Sequence, residues 1–485
     1  MIDAKELAAA LAGGGRLAET FDEFLASSYA RAVDQRYGRA RYSEALARFL
    51  DAFPDVRKLA VARAPGRINL IGEHTDYNGL PVLPMAIERD MIVLFSPRKD
   101  RRVNLINASS RFPPRSFEIS RTIRPYGQGN WGNYAKAAAQ ALQEVAPHML
   151  RGIDACVTGD IPSGSGLSSS SALVVALAVA LAAANGLRIE RKELAELLAR
   201  GERYVGTEGG GMDQAVCLLA ARGNALKIGF FPLSAEPVPL PPDYSVAVCN
   251  SLVVADKTGA AREAYNRRVV ECRLGVMMLR KMLGLRNLTL LSGLRRLSAA
   301  EETEAVAGFP EGPLTLRDAA KLLGVPASRL AESVLKLQTG ELAPEPPDGF
   351  SVKQRVRHVL SEGRRVEQAA QALGVGDVRR FGELMNQSHE SCARDYEVST
   401  PELDALVRIC REAGALGARL TGAGFGGCVI ALVHDSDLAG LVSSVISRYY
   451  EGYLPQMRKD ALVSVMSLED AVFPCKPCGA AATLP

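Results

Sequence analysis

Gly159-Asp-Ile-Pro-Ser-Gly-Ser-Gly-Leu-Ser-Ser-Ser-Ser-Ala172 sets glycines and four consecutive serines directly ahead of an apolar run, residues 173–184. Glycine lets backbone N–H groups come close to a bulky anion. A helix starting at that point adds unpaired N–H donors and the positive end of its dipole. Serine hydroxyls add donors and oxygen ligands suited to Mg²⁺. Ala155-Cys-Val-Thr158 just upstream reads as a strand, so the serines lie on a strand-to-helix turn, where phosphate sites commonly form. The stretch reads as a phosphate cradle in a nucleotide-using enzyme; a glycine/serine linker before a core helix is the alternative. No Gly-Lys-Ser/Thr follows the glycines, and the third glycine of the dinucleotide spacing is missing, so neither of those nucleotide motifs applies.

Two other segments are as dense in glycine. Ala64-Pro-Gly-Arg-Ile-Asn-Leu-Ile-Gly-Glu-His-Thr-Asp-Tyr-Asn-Gly79 lies upstream, and Leu420-Thr-Gly-Ala-Gly-Phe-Gly-Gly-Cys428 lies near the C-terminus. Glu73, His74 and Asp76 place three acceptors within four residues, a density that suits a polyhydroxylated ligand and makes poor zinc geometry. Asp213 follows three glycines, whose small size leaves its carboxylate unshielded; a loop-capping role is the other reading of it. Arg67 supplies a permanent positive charge.

In their order and wide spacing, the three glycine segments resemble the signature motifs of the GHMP kinases, small-molecule kinases of α+β fold. The likeness spans roughly residues 63–449. Gly72-Glu-His-Thr-Asp-Tyr-Asn-Gly79 is similar to the galactokinase signature within that family. Thr207-Glu-Gly-Gly-Gly-Met-Asp-Gln214, Tyr265-Asn-Arg-Arg-Val-Val-Glu-Cys-Arg273 and Gly382-Glu-Leu-Met-Asn-Gln-Ser-His389 resemble the branch holding plant-type galactokinases and N-acetylgalactosamine kinases. The resemblance implies a two-domain fold of mixed sheets and helices with the active site in the cleft between the domains. It implies transfer of the γ-phosphoryl of ATP, with Mg²⁺, to the anomeric hydroxyl of galactose; N-acetylgalactosamine is the alternative acceptor, and a non-catalytic sugar sensor a lesser one. Under it Asp213 orients or deprotonates that hydroxyl while Arg67 holds the Asp213 carboxyl ionised and stabilises phosphoryl charge. Glu73, His74, Asp76, Gly210 and Tyr265 would bind the sugar. Ser163, Gly164, Ser165, Gly166, Leu167, Ser168, Ser169, Ser170 and Ser171 would bind ATP, with Trp131 near the adenine. Ser169 and Glu202 would hold Mg²⁺.

At 485 residues the chain exceeds one ordinary core and suggests two domains. The best boundary is Pro237-Val-Pro-Leu-Pro-Pro242, because repeated prolines interrupt backbone pairing. This divides the chain into residues 1–240, with a helical extension over 1–55, and 241–485, with a helical insert at about 285–350. Hydrophobic residues at 47% and charged residues at 23% fit a soluble globular protein. A net charge of +4 implies no nucleic-acid partner. The helix–turn–helix pattern at residues 316–330 has no basic recognition face. The longest apolar run is too short to span a membrane, and the N-terminus lacks the order of a signal peptide; a cytoplasmic monomer acting on a small molecule is expected. Cys475 and Cys478 form a lone CxxC with no second pair, which reads as structural.

Overall fold

The structure is a computed structural model; it describes all residues except 31–34, 128, 148–149, 202–203, 205–209, 254–259, 338–339, 459–467 and 485. The first sheet is built on three long strands, β2 (Lys58–Asn69), β3 (Pro84–Pro97) and β6 (Ile153–Gly159). Short strands β1 (Ile2–Asp3), β4 (Arg102–Asn107) and β5 (Arg115–Glu118) extend it in the order β1-β2-β3-β6-β4-β5. β3 joins two stretches that read as separate strands in sequence, residues 82–87 and 91–96. The polar Glu88-Arg89-Asp90 between them stays within β3, with Asp90 paired to Pro65 and Glu88 and Arg89 at the register shift.

Alternation along these strands sends side chains to two different cores. Ala60, Ala62, Val93, Phe95, Ala155 and Val157 face the large core that contains helix Ser169–Ala184. Leu59, Val61, Ile92, Leu94 and Cys156 face the opposite way, onto the N-terminal helices Ala18–Ser28 and Gln35–Ala52. Both faces of the sheet are thus covered, which is why its strands are apolar nearly throughout.

Residues 237–239, expected to interrupt pairing, belong to β8 (Ser234–Pro239), which pairs with β7 (Asn224–Gly229) in a separate two-stranded sheet. Among the described residues β8 pairs with β7 alone, whose other edge bridges to Val82, so the prolines sit on an edge strand where a missing N–H is tolerated. The second large sheet begins immediately afterwards with β9 (Tyr244–Asn250) and takes the order β10-β11-β9-β12, using Gly417–Thr421, Cys428–His434 and Val472–Cys475. The chain then returns to the first sheet, where β13 (Ala482–Leu484) pairs with β2.

In the insert, helices Leu316–Leu323 and Ala327–Val334 pack Leu316, Ala319, Leu330 and Val334 into the second core. The helix–turn–helix pattern is therefore a packing unit. Cys475 and Cys478 are buried free thiols bonded to the carbonyls of Val246 and Ile87.

Candidate active site

The three glycine segments meet. β2 carries the first, and at the register shift between Pro65 and Arg67 the chain turns at Gly66 while Arg67 stays paired with Ala86. Gly66 allows this turn because a Cβ there would sit 3.0 Å from Ile161 and 3.2 Å from the Leu167 carbonyl. The Arg67 Nε donates to Asp213 Oδ1 at 2.7 Å, and its Nη1 donates to the Gly166 carbonyl at 2.5 Å. Residues 146 positions apart thus form one pair on the lip of the serine loop.

Ser168 adopts a left-handed conformation (φ 60°) as the N-cap of helix Ser169–Ala184. Its hydroxyl does not cap that helix; it donates to Asp213 Oδ2, and Ser171 Oγ donates to the same oxygen at 3.4 Å. The first-turn N–H groups are left without a side-chain cap, as an incoming phosphate requires. Ser163 and Gly164 are exposed and Ser169 and Ser170 half-exposed, whereas Ser165, Leu167, Ser168 and Ser171 are buried. Ser165 Oγ bonds the Pro162 carbonyl and shapes the turn.

The third segment closes over the second. A Cβ on Gly422 would stand 2.9 Å from the Gly166 carbonyl, and one on Gly427 would stand 2.9 Å from that of Ser165. Both glycines have positive φ, 87° and 84°. The two loops can lie backbone to backbone only because these positions lack side chains.

The first segment is held from below. Glu73 is 2% exposed; it takes the Gly422 N–H at 2.6 Å, the Asn69 amide, and the Arg419 guanidinium at 3.4 Å. Burial outweighs these partners and pushes its carboxyl up to about 7. His74 Nε2 lies 3.0 Å from the Ala423 carbonyl, which can only accept, so Nε2 carries the proton. Nδ1 then accepts from the Tyr77 hydroxyl at 2.9 Å, and Tyr77 accepts from Tyr396 at 2.7 Å. Burial lowers the imidazole to about 3, consistent with this neutral tautomer.

Asp76 is half-buried and accepts the Gly210 N–H at 3.1 Å. Partial burial and, less strongly, the neighbouring charge of Asp213 raise its carboxyl to about 6. The Gly210 position is tight, because a Cβ there would lie 2.4 Å from Asp76 Oδ2. The Tyr265 ring stands 5.5 Å from that of His74 and 5.8 Å from that of Tyr77. Trp131 is 7% exposed; its indole N–H donates to the Pro113 carbonyl and Phe112 meets its ring edge. Glu202 lies outside the described residues.

Asn69, Arg419 and Thr421 have structural weight that sequence reading missed. Asn69 N–H donates to Thr421 Oγ1 at 2.9 Å, and Arg419 Nη1 donates to the Asn69 carbonyl at 3.1 Å. Their only sequence signal is adjacency to the glycine segments. Glu362 and His358, on helix Val352–Gly374, gave none; they bond the Gly72 N–H at 2.8 Å and the Glu73 carbonyl at 3.1 Å.

Comparison with known proteins agrees with this geometry. The model for the GHMP kinase N-terminal domain matches residues 133–221, that for the GHMP kinase C-terminal domain residues 369–452, and that for the galactokinase galactose-binding signature residues 47–97. A galactokinase of Dictyostelium discoideum is 33% identical over 484 residues, covering 90% of this chain and 93% of its own. One from Roseiflexus sp. is 39% identical over 394 residues, 81% of this chain and 88% of its own. The crystal structure of Lactococcus lactis galactokinase complexed with galactose superposes with a TM-score of 0.72 at 29% identity, over 90% of this chain and 98% of that one. The Methanococcus jannaschii mevalonate kinase shares the fold alone, with a TM-score of 0.52 at 17% identity over 86% of this chain and 98% of that one. With full-length relatives at this identity and all three motifs gathered at one site, the chain belongs to the galactokinase branch of the GHMP kinase family.

Proposed function

We propose that this protein transfers the γ-phosphoryl group of ATP to the 1-hydroxyl of D-galactose, giving galactose 1-phosphate and ADP. The observation that carries the reading is the Arg67–Asp213 pair, set against the root of an uncapped helix behind the serine loop. Phosphoryl transfer asks little covalent chemistry of the protein and depends on positioning and charge stabilisation. Asp213 orients the anomeric hydroxyl and accepts its proton. Arg67 keeps a permanent charge beside the moving phosphoryl, while its second N–H fastens the loop through Gly166. Exposed Ser163 and Gly164 and the N–H groups of Ser169 and Ser170 receive the phosphates, with Trp131 on the adenine side.

Asp76, Gly210 and Tyr265 line the sugar side. Glu73 and His74 complete the sugar site, and each already holds protein partners that fix its orientation. A hard cation with several waters needs only one or two protein oxygens, and the half-exposed Ser169 hydroxyl on the helix N-terminus fits Mg²⁺, with Glu202 as second ligand. When bound, the ion supplies neutralisation of charge on the phosphate oxygens.

Product analysis tests the reading. With ATP and a panel of hexoses, a galactose 1-phosphate product with the highest kcat/KM for galactose is expected. Preference for N-acetylgalactosamine, or binding of ATP and galactose without product, overturns it.

The raised Asp76 carboxyl yields a pH prediction. Above about pH 6 Asp76 is ionised and accepts; below it the proton removes an acceptor from the sugar site. The kcat/KM for galactose should therefore fall about tenfold per pH unit on the acid side of pH 6. Asp76→Asn should give a lower value without that limb. An acid limb unchanged in this variant would assign it to another group.

A further inference from the structure

The N-terminal helices do more than cover the sheet. The left and right ends of the serine loop are fixed differently. Gly164 and Gly166 have φ of 70° and 78°, so the turn's course needs glycine, and its two ends are fixed by different residues. Its far end is held by Arg67 and Ser168. Its near end is Asp160, whose N–H bonds the Asp90 carbonyl at 3.2 Å and whose Oδ1 accepts the Asp90 N–H at 2.8 Å. Arg89 Nη1 donates to the Asp160 carbonyl at 3.0 Å. The next residue, Ile161, packs against Gly66 beside Arg67.

Asp160 also has a partner on the helical N-terminal extension. Arg41, on helix Gln35–Ala52, lies 3.1 Å from Asp160 Oδ2 and 2.9 Å from Asp90 Oδ1. Asp90 is fully buried on the face covered by the extension, where Arg63 Nε and the Tyr29 hydroxyl each reach its Oδ2 at 2.6 Å. Asp90 and Asp160 are adjacent like charges, and two cations, Arg63 and Arg41, stand among them. Arg63 and Arg41 both pair with Asp90, and Arg41 alone of the two also reaches the Asp160 carboxylate. Without Arg41, Asp160 would lose the guanidinium at its Oδ2 while still facing Asp90, and a carboxylate so placed takes up a proton or moves. Burial and Asp90 already press the Asp160 carboxyl upward, and Arg41 opposes them.

We propose that Arg41 of the N-terminal extension is a positioning residue for the ATP-binding loop, acting through Asp160 at the loop's root. This rests on the assignment of the serine loop to ATP above, which wild-type product formation tests separately.

The test compares Arg41→Gln, Asp160→Asn and the double variant in the full chain, by steady-state kinetics with ATP and galactose varied in turn and by thermal melting. Loss of one close charge coupling is expected to lower kcat/KM for ATP about tenfold in each single variant. KM for galactose should stay within about twofold, and the double variant should be no worse than Arg41→Gln, in which the Arg41–Asp160 contact is already lost. Arg41→Lys, which keeps the charge without the fork, should recover part of the loss. The proposal is overturned if ATP kinetics are unchanged while the melting temperature falls, or if both substrates' kinetics weaken together. Should Arg41→Gln fail to fold, Asp160→Asn, which keeps the oxygen that accepts the Asp90 N–H, decides by the same two criteria.

Discussion

Replacing Asp213 by alanine is expected to lower kcat about 1,000-fold, within the range of a positioned general base, while the dissociation constant for galactose moves only a few-fold. The asymmetry follows from placement. Asp213 opens helix Met212–Leu219 and turns its carboxylate toward Arg67 and the serine loop, while in the proposed reading Asp76 and Tyr265 supply the sugar side. Its loss leaves Arg67 still bonded to the Gly166 carbonyl, so the loop keeps one tether. Asp213→Asn keeps the shape and loses the charge, and should be nearly as slow. Single-turnover kinetics with titration calorimetry on galactose separates the terms. A near-normal rate, or a loss confined to sugar binding, would remove Asp213 from the reaction centre.

The second large effect concerns stability. Arg419 is fully buried on β10, 3.4 Å from Glu73 and 3.9 Å from Glu362, and it also donates to the Asn69 carbonyl. Removing one partner of a buried ionic group is far costlier than never having built it. Arg419→Met should destabilise the protein by about 3 kcal/mol at pH 8, read as a lowered urea midpoint.

The pH dependence has a definite sign. Burial raises the Glu73 carboxyl to about 7 even with Arg419 present. A folded value above the ordinary 4.5 means the folded state binds the proton more tightly. The Glu73 contribution is then fully present at acid pH and is lost as pH rises through about 7. Losing Arg419 raises that carboxyl further, so the penalty is largest where Glu73 must ionise, at pH 8, and smaller near pH 5.5. A cost independent of pH would show that Glu73 does not respond to Arg419.

Much of the site is local and could be read without coordinates. Glycine, serine and proline restrict the backbone in ways that show within a few residues, so the strand–loop–helix at 153–184 and the loop between β10 and β11 were visible as patterns. Asp213 behind three glycines and Arg67 behind Pro-Gly stood out for the same reason. Less legible were elements whose state depends on partners. β3 runs through Glu88-Arg89-Asp90 because Arg63 and Arg41 take up the Asp90 charge, Asp160 accepts the Asp90 N–H and Asp470 pairs with Arg89. β8 keeps its prolines because it has a free edge.

The amino-acid order alone determined the family and marked the serine loop and the residues proposed to do the chemistry, since each is written in short-range backbone and side-chain character. Only the tertiary structure decided that Glu73 and His74 hold the third glycine segment, that β13 returns to β2, and that Arg41 reaches the root of the serine loop. These contacts join residues tens to hundreds of positions apart. Their strength comes from burial and from the surrounding charges, which exist only once the sheets have packed.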